Sequence, residues 1–155
     1  MRFTSREDIE APIDHVFARI TDSQALERAA LRRGAEVRRI DERVSPGAGM
    51  GWHASFMFRG KRREVETELT EYNPPNGITV LARSALLSGR MGVDLVALSR
   101  GRTRMTVDLV VTPKTLAAHL MVQSLKLARA NLTRRFRSRV AGYAVDLEER
   151  FRRGA

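Results

Sequence analysis

The sequence predicts an α+β fold. A curved antiparallel sheet of about seven strands should carry two short helices after its first strand and a long C-terminal helix over its concave face. Three observations lead there. From residue 37 to residue 111 apolar side chains recur with period two, interrupted by short Gly- and Pro-containing turns. Between residues 12 and 34, and again after residue 113, the apolar spacing becomes three and four, the spacing of a helix face. Consecutive strands joined by short turns pair antiparallel, and a sheet with one apolar face needs a cover.

Residues 2–10 read as the first strand, with Phe3, Ser5, Glu7 and Ile9 on one side. Pro12 suits a first helical turn, where its missing N–H would have no partner anyway. Ile13, Val16, Phe17 and Ile20 then form one helix face. Thr21 with Gln24 fits a capping box for a second helix that ends at Gly34. Strands are predicted at 37–44, 51–59, 62–72, 78–87, 91–98 and 103–111, with turns at 45–49, 60–61, 73–77, 88–90 and 100–102. Glu64, Glu66 and Glu68 face away from Val65, Thr67 and Leu69, so the sheet has a wet side. Thr112 and Pro113 read as the cap and first residue of a helix reaching residue 152. Its stripe runs from Ala118 through Met121, Leu125, Phe136, Val140, Tyr143 and Leu147 to Phe151. A straight helix of this length would span roughly 58 Å, more than a domain of this size. It should therefore bend near Gly142 or project its last turns with Tyr143, Leu147 and Phe151 exposed. A projecting stripe would seek a cover, a second copy or an anionic membrane surface.

The chain of 155 residues reads as one domain, with the first strand, short helices and sheet in 1–112 and the terminal helix in 113–153. It contains no Cys, so thiolate metal sites, Fe–S clusters and Cys nucleophiles are excluded. The first eight residues have no apolar block, so no signal peptide is expected, and a cytoplasmic location follows as the default. The net charge is +10; residues 1–112 contribute +3 and residues 113–155 contribute +7. A basic segment serves nucleic acid, anionic lipid or an acidic partner, and is most often a solvated helix face. Phe136 and Tyr143, the aromatics near the basic centre, lie on the apolar stripe, which argues against base stacking and against nucleic acid.

Several segments in fixed order resemble one known family. They are Glu10-Ala11-Pro12-Ile13-Asp14-His15-Val16-Phe17, Thr21-Asp22, Gly49-Met50-Gly51-Trp52, Glu71-Tyr72-Asn73-Pro74-Pro75 and Gly101-Arg102-Thr103-Arg104-Met105. Together they resemble the SRPBCC or START-like superfamily, the helix-grip fold of polyketide cyclase/dehydrase-like proteins. The match spans nearly the whole chain. It departs from the pattern at Ala29-Ala30, where many members carry Trp, and at Arg102, which replaces a second Gly. The resemblance implies a cavity for a small hydrophobic ligand between sheet and terminal helix, such as a lipid, an isoprenoid or an aromatic polyketide-like molecule.

The residues placed to line such a cavity are Trp52, Phe56, Phe58, Val65, Thr67, Leu69, Val80 and Leu95 from the strands, with Met121 and Leu125 from the helix. The sequence leaves catalysis open and favours a non-catalytic binder or carrier. A cyclase or dehydratase in the same cavity would need an inward acid or base, for which Arg83, Thr67 and His119 are the candidates. A third reading is a basic peripheral protein that touches anionic membrane or RNA through the terminal helix. No catalytic, cofactor-binding or metal-binding residues are assigned, and His15 and His53 read as surface or rim positions.

Overall fold

The computed structural model describes residues 1–154. The elements in order are β1 (Arg2–Ile9), α1 (Ile13–Ile20), α2 (Ser23–Arg32), β2 (Glu36–Arg39), β3 (Gly51–Phe58), β4 (Lys61–Asn73), β5 (Gly77–Arg83), β6 (Leu87–Ser99), β7 (Arg102–Pro113), α3 (Leu116–Lys126) and α4 (Arg129–Arg152). The seven strands form one antiparallel sheet in the order β1-β7-β6-β5-β4-β3-β2. This is the predicted α+β architecture.

One half of the concave face is closed. Ile9, Leu95, Met105 and Val107 come from β1, β6 and β7; Val16, Phe17 and Ile20 come from α1; Val140, Ala144 and Leu147 come from α4. These side chains form one buried cluster. Each large aliphatic chain so buried contributes about 1.5–3 kcal/mol. Thr103, wholly buried, donates its hydroxyl to the Ala11 carbonyl at 2.8 Å, so the polar group at the centre of this region is satisfied.

The terminal helix differs from expectation in three ways. Thr112 pairs with Ser88 inside the sheet, and the helix starts after Thr115, whose hydroxyl accepts the Ala118 N–H at 3.1 Å. The helix breaks at Leu127-Ala128, not at Gly142, so that two helices replace one. Their buried faces answer to different partners: Ala118 and Val122 turn inward on α3, which lies against β7, while α4 lies along β1 and α1. Of the three residues expected bare, Leu147 is 2% exposed and Tyr143 half-buried, and only Phe151 is exposed, so the last turns do not project as a bare stripe. Besides Val145 and Phe151 on α4, the uncovered apolar residues sit on α3, at Leu116, Leu120 and Met121, and at Leu127 in the break.

Two strand boundaries also move. β2 ends at Arg39 rather than residue 44. The Asp41 carboxylate accepts the Gly51 and Arg43 N–H groups and pairs with Arg39, which folds residues 40–50 into a loop stapled to β3. That guanidinium, followed by the Gly51 N–H, holds the Asp41 carboxyl well below the usual carboxylate range. Ser88-Gly89-Arg90 belongs to β6, opposite Arg83, Ala82 and Leu81. The turn lies earlier, where the Ser84 hydroxyl accepts the Leu87 N–H and donates to the Leu87 carbonyl.

Candidate functional site

The other half of the concave face is open. A groove of about 280 Å³ lies between the sheet and α2. Its floor alternates along the strands as a one-sided sheet requires: Trp52 and Ala54 on β3, Thr67 and Leu69 on β4, Ile78 and Val80 on β5, Met91 on β6. A bulge between Leu69 and Glu71 shifts the β4 alternation by one, which turns Tyr72 onto the same floor. Leu26, Glu27 and Ala30 of α2 form the roof, and Ile20 and Thr21 close the end toward α1.

The local sequence explains the roof. Asp22, not Thr21, caps α2, accepting the Ala25 N–H at 3.1 Å, while the Thr21 hydroxyl donates to the Phe17 carbonyl and closes α1. This seats α2 one residue later than the capping box predicts. None of its residues is fully buried, so α2 covers the sheet without filling the space beneath it. The Trp52 indole N–H donates to the Glu27 carboxylate at 2.8 Å and fixes the roof to the floor. Arg39 stands over the Trp52 ring, 5.5 Å from its centre.

Of the ten residues placed in the cavity by sequence, Trp52, Thr67, Leu69 and Val80 line the groove. Leu95 is 2% exposed in the closed core, opposite Met105. Val65, Phe56 and Phe58 lie outside the groove on β3 and β4. β4 pairs with β5 only from Glu66 onward, so the β3–β4 hairpin runs about 16 Å beyond its neighbour. Its tip turns at Arg59 and Gly60, both with positive φ, and Phe58 is 53% exposed there. Met121 and Leu125 sit on α3, which does not line the groove.

Sequence reasoning missed Glu27, Tyr72, Ile78 and Met91. Tyr72 was hidden by the bulge, and Met91 by a loop placed too late. Glu27 had a signal, its place one residue from Leu26 and three from Ala30 on the inner face of a helix. Among the candidates for acid–base work, Arg83 points outward to Glu68 at 3.2 Å and His119 is exposed on α3, so neither meets Thr67. The ionisable groups lining the groove are Glu27 and the Tyr72 phenol. His53 lies 3.7 Å from Glu64 at the sheet surface. Among the described residues no group of three His, Asp or Glu is placed to hold a metal, and no helix is long and apolar enough to cross a membrane. The groove can therefore take up an apolar molecule on an apolar floor, with Thr21, Ser23, Thr67 and Glu27 as its polar points.

No family model matches the sequence, and no curated protein matches it. Solved structures do. The protein TTHA0849 of Thermus thermophilus superposes with a TM-score of 0.68 at 16% identity, covering 100% of this chain and 99% of that one. The Zhui aromatase/cyclase of a Streptomyces species gives a TM-score of 0.68 at 12% identity, covering 97% and 95%. A START superfamily protein of Mycobacterium smegmatis gives 0.57 at 13% identity, covering 86% and 95%. At such identities the likeness is one of fold, and fold alone does not fix chemistry. The sheet order, the paired short helices and the C-terminal helix on the concave side give this chain the helix-grip fold of the SRPBCC/START-like proteins.

Proposed function

We propose that the protein binds or carries a small hydrophobic ligand in the groove between α2 and strands β3 to β6. The observation that carries this reading is the contrast of packing on one sheet face. The β1, β6 and β7 half is filled by a cluster of buried side chains, while the adjoining half keeps a space of about 280 Å³ over apolar side chains. Packed interiors leave few voids of that size, and an apolar groove of this kind gains about 25 cal/mol for each Å² of ligand surface it removes from water. The aromatase/cyclase and START neighbours have the same fold, which agrees with the reading.

Trp52, the one tryptophan of the chain, reports on the groove directly. Titration with the neutral apolar fluorophore phenylnaphthylamine should enhance the probe's emission and quench Trp52. Val80→Phe, which fills the floor, should abolish both signals. Probe binding that leaves Trp52 unchanged, or that survives Val80→Phe, would place the ligand elsewhere. Native mass spectrometry of the protein purified from its own host then identifies what it carries.

A further inference from the structure

A second, wider cleft lies between α4 and the C-terminal end of α2, lined by Arg33, Arg135 and Arg139 over Phe136 and Tyr143. It adjoins the groove. Ala30 lines the groove and Arg33 the cleft, one helical turn apart on α2. Phe136 and Tyr143 pack on the same cluster as Ile78 and Met91 of the groove floor. The two spaces thus flank one helix over one apolar bed.

The cleft is cationic, and its cations are free. Among the described residues Arg33, Arg135 and Arg139 make no ion pair and no side-chain hydrogen bond, whereas most arginines on the outer sheet face do. Asp146 is the single carboxylate in the lining. Residues 109–145 contain no Asp or Glu and seven Lys or Arg, so α3 and most of α4 add no compensating charge. Burial pushes the Tyr143 phenol up to about 12, against the opposing pull of Arg150 and Arg19, so it stays a neutral O–H donor beside the arginines. Guanidinium forks match the geometry of carboxylate, sulfonate and phosphate oxygens.

We infer that the ligand is an amphiphile whose anionic head sits on Arg33, Arg135 and Arg139 while its apolar part enters the groove. This rests on the groove reading above and names the chemical class of what the groove takes. The cations supply attraction at the entrance and a fixed orientation; the groove supplies apolar burial.

The test uses a matched pair of probes, anilinonaphthalene sulfonate and its neutral parent phenylnaphthylamine, which differ by the sulfonate alone. At low salt the sulfonate should bind roughly tenfold more tightly, the scale set by three exposed charge contacts. High salt should erase that advantage. In the triple variant R33Q/R135Q/R139Q, whose exposed side chains leave the core untouched, the sulfonate should fall to the affinity of the neutral probe and the neutral probe should not change. Circular dichroism verifies that the variant is folded. Equal affinities in the unaltered protein, or an advantage that survives the triple variant, overturn the inference and leave the groove reading standing. Inorganic phosphate that binds as tightly as the sulfonate probe would make the cleft a free-anion site and overturn the amphiphile. Binding of neither probe overturns the groove reading, and the inference with it.

Discussion

The two halves of the concave face are built from the same alternating strands, yet one is solid and the other open. Over β1, β6 and β7 the chain lays two helices, α1 and α4, whose inward residues are large: Val16, Phe17, Ile20, Val140 and Leu147. Over β3, β4 and β5 it lays α2 alone, whose inward residues are Leu26, Glu27 and Ala30. What differs is the volume of the covering side chains, and the break at Leu127-Ala128 that directs α4 along β1 and away from the groove. A cavity in this fold is thus set by the cover.

The sharpest way to break the comparison is a paired truncation. Leu147, 2% exposed and held between α1 and the sheet, should cost about 3–4 kcal/mol when replaced by Ala, since the surrounding helices cannot collapse onto the hole. Val80→Ala removes atoms that already border a space and should cost about 1 kcal/mol. Urea unfolding of the two variants measures the difference. Equal losses would mean that the groove closes in solution and that the two halves are packed alike.

The sequence carried the closed half well and the open half poorly. The inward positions of α1 follow from its periodicity, so Val16, Phe17 and Ile20 could be placed from spacing alone, and Ile9 falls on the inward side of β1; Leu147 lies on the apolar stripe of α4 but is buried where a projecting helix end would have left it exposed. The groove depends on events that periodicity does not encode. A bulge after Leu69 changes which residues face in, and Tyr72 enters the site through it. The Asp41 carboxylate ends β2 by capturing the Gly51 backbone N–H, ten residues away in sequence. β3 and β4 outrun β5, so Phe56 and Phe58, on the same strand face as Trp52, lie beyond the groove, with Phe56 half-buried and Phe58 exposed. On α3 the stripe runs from Ala118 through Met121 and Leu125; Ala118 is buried as that spacing predicts, but Val122 turns toward β7 in place of the exposed Met121, because a close helix-to-sheet approach admits small side chains. The continuous stripe from residue 118 to 151 gave no hint of the break, since Leu127 and Ala128 are ordinary helix formers.

A smaller effect sharpens the tie between roof and floor. Trp52→Phe keeps the ring in the groove but removes the N–H that Glu27 accepts. The loss of one such bond to a carboxylate that water can still reach should cost about 1 kcal/mol. Glu27→Gln retains an acceptor and should cost less. If Trp52→Phe left stability unchanged while Glu27→Gln lowered it, the roof would be held by Glu27 through another contact, and the indole bond would not be the tie between roof and floor.

The smallest expected effect belongs to the closed half and depends on pH. His15 lies on α1 with its ring edge against Phe151, 5.0 Å between centres. Its Nε2 is buried without a partner. Burial, seconded by the nearby Arg19 charge, lowers the His15 pKa from its ordinary value, and the Leu147 backbone carbonyl opposes this only in part. The folded protein therefore prefers the neutral ring. Above about pH 7 the ring is neutral folded or unfolded, and His15 adds no pH dependence. As the pH falls through the ordinary histidine range, the unfolded chain takes up a proton that the folded chain resists, and stability drops. Asp8, Asp41 and Asp108, all with lowered pKa values from their arginine partners and hydrogen bonds, also lose stability on acidification, but in the lower range of carboxylate titration. A melting curve measured between about pH 7 and pH 5 isolates the histidine contribution. The unaltered protein should lose a small part of its stability across that interval, and His15→Gln should flatten the loss. An unchanged slope in the variant would mean that solvent reaches Nε2 and that the seam between α1 and the end of α4 is looser than the rest of the closed half.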